Sequence, residues 1–245
     1  MKLSKRIYAL AAQIEQGESV SDIGTDHGYV PMLLMKEGRS PRVIMSDISA
    51  GSLSKARETF DLTGLSSKVS DSDFRVGDGL ATIEAGEVDE VIIAGLGGHT
   101  IAEILAADED KAKSFNRLVL QPRKHSGSLR YYLCNHGYEI ESENLAKEGK
   151  FACEIITARP VKSGASVNGL YGDYPETDIH WYYPKPMVDS DPALAKIRID
   201  WKKSSIKARL DDLDRANEQK GCVSSERSNL ADRLRSDLEY LESLI

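Results

Sequence analysis

The chain has few cysteines and no long apolar run. Its three cysteines, Cys134, Cys153 and Cys222, are far apart and form no C-x-x-C pair. An odd number at this spacing argues against a disulfide framework and against a thiolate zinc site. No apolar stretch approaches the roughly 20 residues that a transmembrane helix requires. With 40% hydrophobic residues, the composition is typical of a globular protein, and we expect it in the cytoplasm without a membrane partner.

An overall excess of positive charge is also absent. The chain carries 39 acidic and 32 basic residues, which give a formal charge of −7. A nucleic-acid surface would therefore have to be a local patch. Residues 1–14 contain three basic residues and no acid, and residues 196–209 contain six basic residues and one acid, Asp200. The second cluster is interpreted either as the solvated face of a helix or as a phosphate-contacting patch.

The motifs of common metal and hydrolase sites are missing as well. Asp22, Asp26 and His27 lie close in sequence, but no pair of histidines at i, i+4 and no facial triad accompanies them. The glycine-rich segment AGLGG at 94–98 contains no G-x-S-x-G nucleophile. We therefore expect no metal and no serine-hydrolase chemistry.

What the sequence does contain is an alternation of short apolar runs and helical patterns over residues 19–160. This alternation is typical of a parallel sheet with right-handed helical crossovers, and it predicts a doubly wound α/β domain over residues 1–160. The predicted strands are SVSDIG, RVIMSD, DFRVGDG, DEVIIAGLGG and RLVLQP, followed by an antiparallel pair, YEIESENLAKEG and FACEIITARP. The predicted helices are an amphipathic helix carrying Leu3, Ile7, Leu10 and Ile14, one from Pro31 to Gly38, one over Ser52–Thr63, one over His99–Lys113, and SGSLRYYLCNHG.

Residues 161–188 change in character and are rich in glycine, proline and aromatic residues. We interpret them as an ordered connecting loop, because Trp181, Tyr182 and Tyr183 need a place to be buried.

Two long helical patterns follow over residues 189–245. The first begins at Asp191-Pro192, a capping residue followed by proline, and Gly221 separates it from a second that begins near Ser224. The short connection predicts an antiparallel helical hairpin, a small coiled coil. The apolar positions of this hairpin are Leu194, Ile197, Trp201, Ala208, Leu210 and Leu213, then Leu230, Leu234, Leu238, Leu241 and Ile245.

The stretch SDIGTDHGYVP at 21–31 connects the first predicted strand to its helix. Gly24 and Gly28 allow a sharp turn and a close approach of the backbone to a ligand. In open α/β sheets ligands bind at the carboxyl ends of the strands, and a helix N-terminus favours an anionic group. The loop therefore predicts a ligand site, although a glycine-rich loop alone does not identify the ligand.

Two further acids narrow the choice of ligand. Asp47 ends the second strand, where a carboxylate accepts hydrogen bonds from ribose hydroxyls, and Asp78 follows the third strand, within reach of an adenine amino group. Together with Asp22 they predict a nucleoside cofactor, in the arrangement of proteins that bind S-adenosylmethionine (SAM). The loop spacing, D-x-G-x-x-x-G, differs from the G-x-G-x-x-G of nicotinamide cofactors.

Six segments in this order resemble the bacterial tRNA (adenine(22)-N1)-methyltransferase family, over roughly residues 3–160. They are LSKRI, DIGTDHGYVP, DISAGSLSKA, GDGL, IIAGLGG and LQPR. The resemblance implies a Rossmann-like methyltransferase domain with a C-terminal coiled coil, SAM as methyl donor, tRNA as partner, and N1 of adenine 22 as acceptor. The segment HWYYPKP departs from the pattern of the family.

The resemblance also implies which residues form the site. The cofactor set is Asp22, Gly24, Asp47, Ile48, Asp78, Gly79, Ala94 and Gly95. The catalytic candidates on the acceptor side are Asp26, His27 and Tyr29, in which Asp26 or His27 accepts from adenine N6 and Tyr29 stacks on the base. The candidates for tRNA contact are Lys5, Arg6, Arg123, Lys202, Lys203 and Lys207. Gln121, at the end of the fifth predicted strand, is expected to line the opening of the ligand site beside Arg123.

Other functions stay open at this point. The chain is alternatively a SAM-dependent methyltransferase of a small molecule or protein, or a non-catalytic module that binds SAM or tRNA. A nicotinamide-dependent oxidoreductase is disfavoured by the loop spacing. The sequence leaves the oligomeric state open, with a monomer favoured, because Leu230–Ile245 can close on its own hairpin or on another chain.

Overall fold

The computed structural model describes residues 3–161, 171–220 and 224–245, without the side chains of 218–220. Part of the predicted connecting loop, the predicted break at Gly221 and the thiol of Cys222 lie outside the described residues. The strands are β1 Val20–Ile23, β2 Val43–Asp47, β3 Phe74–Val76, β4 Glu90–Leu96, β5 Arg117–Pro122, β6 Tyr138–Glu148 and β7 Phe151–Pro160. The α-helices are α1 Lys5–Ala11, α2 Tyr29–Lys36, α3 Ala50–Leu62, α4 Gly98–Ala106, α5 Glu109–Ala112, α6 Ser126–Asn135, α7 Ile179–Tyr182, α8 Lys185–Ser190, α9 Pro192–Lys220 and α10 Ser225–Ser243.

The strands form one seven-stranded sheet in the order β3-β2-β1-β4-β5-β7-β6. The first five strands of the chain pair with one another in parallel, and β7 lies antiparallel to both β5 and β6. Strand order reverses between β1 and β4, which is the point where doubly wound sheets form their ligand crevice. The predicted α/β fold and its terminal antiparallel pair are therefore confirmed.

Helices cover both faces of the sheet, so its central strands are buried on both sides. All four residues of β1 are buried, as are the first four of β4. Burial on both faces explains the apolar run Val91–Ile93 of β4, whereas β1 carries two buried polar residues, Ser21 and Asp22. Helix α1 presents Ile7 and Leu10 to the same core as β2 and α2, and Ile14 follows it there. The predicted amphipathic helix is present, but it spans only Lys5–Ala11, so Leu3 and Ile14 of the predicted apolar face lie outside it.

Two predictions of secondary structure differ from the observed elements. The single helix expected over His99–Lys113 is two helices, α4 and α5, because Asp108 caps a new start by accepting from the Lys111 N–H. The predicted connecting loop contains helices α7 and α8, so it is not a loop throughout. Trp181 and Tyr183 are buried as expected, at 1% and 6% exposure, whereas Tyr182 is half-buried.

Helices α9 and α10 pack as an antiparallel pair. Lys203 of α9 forms an ion pair with Glu242, at 3.4 Å between Nζ and Oε1, and Asn217 accepts a hydrogen bond from Arg227. The earlier residue of α9, Lys203, contacts the later residue of α10, Glu242, and the later residue of α9 contacts the earlier residue of α10, as an antiparallel hairpin requires. Asp191 caps α9 by accepting from the Leu194 N–H at 2.9 Å.

The apolar stripe that the sequence analysis selected on α9 is only partly the buried one. The buried positions of α9 are Ala195, Ile199, Ile206 and Leu213, of which Leu213 alone was selected. The first three pack with residues of α7, α8 and α10, and Leu210, also selected, packs against them while partly exposed. Ile197 and Trp201, both predicted to face the hairpin, lie on the exposed side of the helix. A helix that carries apolar residues on two faces gives no local signal for which of them is buried.

A buried ion network attaches the hairpin to the sheet. The guanidinium of Arg130, fully buried in α6, donates to both oxygens of Glu143 at 2.6 and 2.7 Å and also pairs with Glu154 of β7. Arg198 of α9 pairs with Glu154, and Tyr171 donates to Glu143 at 2.9 Å. Burial alone raises the pKa of Glu154, but the two arginines hold it below its ordinary value. One network thus joins α6, β6, β7 and α9.

Across the described ranges, no helix combines the length and the apolarity that crossing a bilayer requires. In the same ranges, no three His, Cys, Asp or Glu side chains are grouped as a metal ion would need.

Candidate functional site

A cleft of about 1060 Å³ lies at the carboxyl ends of β1, β2 and β4, and we call it the strand-end cleft. Its walls come from the loops that follow these strands and β3, from helix α4 and from the N-terminal helix α1. The predicted residues that line it are Arg6, Asp22, Gly24, Asp26, His27, Tyr29, Asp47, Ile48, Asp78, Gly79, Ala94, Gly95 and Arg123. The structure thus brings together residues that are up to 117 positions apart in the sequence.

Backbone geometry shapes the loop between β1 and α2. Gly24 and Gly28 have φ of +75° and +66°, values that favour glycine. A Cβ at Gly28 would lie 3.0 Å from the Cβ of Ala56, so α3 packs directly against this turn. The N–H groups of Gly24 and Thr25 donate to the carbonyl of Ser46, at 2.8 and 3.0 Å, which fixes the loop to β2.

Asp22 lies at the floor of the cleft and is buried. Its Oδ2 accepts from the Thr25 hydroxyl at 2.7 Å. Burial raises the pKa of the Asp22 carboxyl to about 6, although the hydrogen bond from Thr25 and the charge of Arg6 act in the opposite direction. This carboxyl therefore changes charge near neutral pH, and a cation placed beside it would favour the ionised form.

Asp47 is positioned at the end of β2 by two backbone donors. Its Oδ1 accepts from the Ser49 N–H at 2.8 Å, and its Oδ2 accepts from the Asp26 N–H at 3.3 Å. Each carboxylate oxygen has further lone pairs, so Asp47 can still accept from a diol in the cleft. Ile48 follows directly and is 74% exposed, which offers an apolar surface beside that carboxylate for a flat ring.

The loop that follows β3 also lines the strand-end cleft. Asp78 precedes a short 3₁₀ turn over Gly79–Thr82, and Gly79 has φ of +50°. A Cβ at Gly79 would lie 3.1 Å from Ile104 of α4. Helix α4 therefore closes the cleft here through Ile104. The sequence analysis did not select Ile104, because it lies 26 positions after Asp78 and no local motif connects the two residues.

The end of β4 bends where it enters the cleft. The pairing register with β5 shifts between Ala94 and Leu96, and Gly95 has φ of +83°. A Cβ at Gly95 would lie 3.8 Å from Nε of Arg123. The bend therefore opens the backbone of Ala94–Gly95 toward the cleft and places the Arg123 guanidinium at its mouth.

Asp26, His27 and Tyr29 form a contiguous group on the rim of the cleft. The rings of His27 and Tyr29 stack, with centroids 5.1 Å apart and planes inclined by 8°. His27 Nε2 lies 3.8 Å from Asp26 Oδ2, and the other oxygen of Asp26 pairs with Lys55 Nζ at 3.2 Å. Asp26 has φ of +48°, a strained value for a residue with a side chain. The group offers a carboxylate, an imidazole and an aromatic face at one point.

Arg6 does not lie on the outer surface with Lys5. Its side chain enters the cleft from α1, where Nε pairs with Glu148 at 2.8 Å and an Nη donates to Gln121 Oε1 at 3.2 Å. Lys5 is exposed and does not line the cleft. The two neighbouring basic residues, which share one predicted role, thus occupy different environments.

The basic residues of α9 lie away from the lining of the cleft. Lys207 is exposed and Lys202 half-buried. Lys203 is only 19% exposed and is paired with Glu242. Of the three predicted tRNA contacts on this helix, Lys207 is therefore the most accessible to a phosphate.

Comparison with known proteins adds independent information. Residues 3–156 match the family model described as a methyltransferase domain. The tRNA (adenine(22)-N(1))-methyltransferase of Bacillus subtilis is 35% identical over 170 residues, which cover 69% of this chain and 70% of that protein. A Mycoplasma pneumoniae protein described as a tRNA methyltransferase is 30% identical over 165 residues, covering 66% of this chain and 73% of its own.

Solved structures extend the similarity through the hairpin. The crystal structure of the B. subtilis m1A22 tRNA methyltransferase superposes with a TM-score of 0.81 at 26% identity, covering 100% of this chain and 99% of that one. A Streptococcus pneumoniae protein solved in complex with S-adenosyl-L-methionine shares the fold, with a TM-score of 0.73, 23% identity and 99% coverage of both chains.

Proposed function

The chain belongs to the tRNA (adenine(22)-N(1))-methyltransferase family, and from this premise we propose that it transfers a methyl group from SAM to N1 of adenine 22 in tRNA. The observation that carries the proposal is the strand-end cleft, in which Asp22, Asp47 and Asp78 meet beside the reversal of strand order. The enzyme class follows from the family, and the residues that line the cleft account for the binding of the cofactor and of the acceptor base.

The residues of the cleft fit SAM at its adenosine end. The Asp47 carboxylate accepts from the ribose hydroxyls, the exposed side chain of Ile48 covers one face of the adenine, and Asp78 accepts from the adenine amino group. These residues follow β2 and β3, at one side of the sheet.

The residues that would hold the amino-acid end of SAM are then those at the ends of β1 and β4. Arg6 approaches them from the β5 side, because its partners Gln121 and Glu148 belong to β5 and β6. We therefore assign Arg6 to the carboxylate of the amino-acid moiety rather than to tRNA. A guanidinium binds a carboxylate through charge-assisted hydrogen bonds, and Nη2 of Arg6 has no hydrogen-bond partner in the part of the chain described here.

The acceptor base enters beside Asp26, His27 and Tyr29. When bound, SAM would supply an electrophilic methyl group on its sulfonium. The N1–CH3 bond would form as the S–CH3 bond breaks, with S-adenosylhomocysteine as the leaving group, and neutral adenine N1 has a lone pair and no proton to lose. The chain needs no strong base; it has to orient the base and stabilise the positive charge that develops on the ring. Tyr29 stacks on the adenine, and Asp26 or His27 accepts from its N6 amino group, which becomes a better donor as the charge develops.

Adenine 22 must leave its place in the tRNA core to expose N1, so contacts elsewhere have to hold the tRNA. Arg123 at the mouth of the cleft and the exposed basic residues Lys5 and Lys207 are the candidates for phosphate contact. Lys202 and Lys203 are weaker candidates, because both are partly covered and Lys203 is paired.

The test is incubation of the protein with methyl-labelled SAM and an unmodified tRNA transcript that has adenine at position 22. Nucleoside analysis of the digest is expected to find the label in 1-methyladenosine. The matched control is the same transcript with guanine at position 22, which should remain unlabelled. Label in another nucleoside, or equal label in both transcripts, would contradict the proposed acceptor, and binding of SAM with no label in any tRNA would contradict the activity.

A further inference from the structure

The N-terminal half of α9 exposes a large aromatic side chain that the packing of the hairpin does not use. Trp201 is 73% exposed, and Ile197, one helical turn before it, is 43% exposed. The chain has two tryptophans, and the other, Trp181, is 1% exposed. A large exposed aromatic residue with an apolar neighbour is typical of an interaction site. We call Ile197 and Trp201 the α9 patch.

The α9 patch lies at the same edge of the sheet as the strand-end cleft. Strand β7 is antiparallel to β5 and pairs Ile156 with Leu120, so residues 151–154 lie level with the carboxyl end of β5. Arg198 of α9 attaches to this part of β7, by donating to the Ala152 carbonyl at 2.9 Å and pairing with Glu154. The preceding strand, β6, ends at Glu148, the partner of Arg6 in the cleft. One β-hairpin thus connects the cleft wall to the helix that carries the patch.

The segment that carries the α9 patch, residues 196–209, is basic, in a chain whose total charge is −7. Three of its six basic residues are paired, Lys196 with Asp200, Arg198 with Glu154 and Lys203 with Glu242. The other three, Lys202, Lys207 and Arg209, form no ion pair in the described part of the chain, and Lys207 and Arg209 are exposed. An aromatic side chain among exposed cations is the combination with which proteins bind unpaired nucleotides: the ring stacks on a base and the cations contact the backbone.

A second copy of the chain fits the α9 patch less well. Two side chains of this size offer on the order of a few hundred Å² of apolar surface. A stable dimer buries about 800 Å² on each partner. The patch is therefore too small to form such an interface alone, whereas one aromatic ring is enough to hold one nucleobase.

We propose that Trp201 is a tRNA-binding residue that stacks on an unpaired nucleobase while the acceptor adenine occupies the strand-end cleft. This inference rests on the proposed function, because it takes tRNA as the substrate. Trp201 supplies affinity for the nucleic acid and does not contact the cofactor.

The experiment is titration of the full chain with unmodified tRNA, followed by tryptophan fluorescence and by filter binding. In the wild-type protein tRNA should quench the emission of Trp201. The W201F variant, in which only the buried Trp181 emits, should lose this quenching but keep most of its affinity, because phenylalanine also stacks. W201A should bind tRNA about tenfold more weakly, with its affinity for SAM unchanged. The control, Leu62→Ala, removes a leucine of α3 that is 79% exposed and should leave tRNA affinity unchanged.

Each outcome decides the inference. If W201A binds tRNA as tightly as the wild type, and the wild type methylates tRNA, the inference is wrong and the proposed function stands. If W201A instead converts a dimer into a monomer at unchanged tRNA affinity, the patch belongs to a second copy of the chain. If the wild type neither binds nor methylates tRNA, the proposed function fails and the inference fails with it.

Discussion

The strand-end cleft and the C-terminal hairpin differ in what holds their functional residues in place. In the cleft the backbone does most of this: the loop after β1 donates to the Ser46 carbonyl, and Asp47 accepts from two backbone N–H groups. The hairpin is held by side chains, chiefly Arg198 on Glu154. Sites shaped by backbone turns appear in a sequence as short motifs, whereas an attachment made by distant side chains leaves no local pattern.

The largest effect is expected where the hairpin joins the sheet. Arg130→Ala leaves Glu143 without its arginine in the protein interior, so the free energy of unfolding should fall by about 3–5 kcal/mol. Chemical denaturation measures this. The control, Arg159→Ala, removes an exposed arginine that is paired with Glu139, and should leave the free energy of unfolding nearly unchanged. Equal effects of the two substitutions would show that the buried network stabilises the protein no more than an exposed ion pair does.

The next effect concerns the cleft alone. Asp47→Ala removes the proposed acceptor of two ribose hydroxyls, and each hydrogen bond is worth about 1.5–3 kcal/mol when the acceptor is charged, so SAM should bind at least about 100-fold more weakly. Calorimetric titration measures the affinity, and the protein should remain folded. Asp110→Ala, which removes an exposed carboxylate of α5, serves as the control. Unchanged affinity in Asp47→Ala would contradict the assignment of the ribose site.

A smaller effect separates the two ends of the cofactor. Arg6→Gln should weaken the binding of S-adenosylhomocysteine about tenfold, because a charged hydrogen bond to its carboxylate is lost. Binding of 5′-methylthioadenosine, which has no amino-acid moiety, should not change. The control is Lys5→Gln, which alters the exposed neighbour. Equal weakening of both ligands by Arg6→Gln would contradict the assignment of Arg6 to the carboxylate. A loss of tRNA affinity with unchanged binding of both ligands would instead support Arg6 as a tRNA-binding residue.

The smallest effect is a dependence on pH. Burial raises the pKa of Asp22 from 3.8 to about 6, so the folded protein holds a proton that the unfolded chain has released between these values. The stability of the ligand-free protein should therefore fall as the pH rises from about 4 to 6. The cationic cofactor favours the ionised carboxyl, so its affinity should rise several-fold between pH 5 and pH 7.

Binding titrations of SAM across this pH range test the prediction. Asp22→Asn, which cannot ionise, should flatten both profiles, and it serves as the matched variant. A wild-type affinity for SAM that does not change between pH 5 and pH 7 would show that the ionisation of Asp22 does not affect the binding of the cofactor.

Much of the fold and of the cleft was predictable from the sequence. The order of strands and helices follows from apolar runs that alternate with helical patterns. The motifs around Gly24, Asp47 and Asp78 each lie at the end of a parallel strand, and parallel strands end at one edge of the sheet, so they predict one shared site. The roles given to the individual residues remain predictions, and the experiments above test them.

Periodicity and local turns in the amino-acid sequence are enough to predict the α/β class, the edge of the sheet that carries the ligand site and the presence of two C-terminal helices. They do not predict that Arg6 enters the cleft, that Ile104 closes it, or that Trp201 faces outward. Each of these depends on how separate elements pack against one another. Which face of a helix is buried is settled by what it meets, and residues distant in the sequence supply that surface.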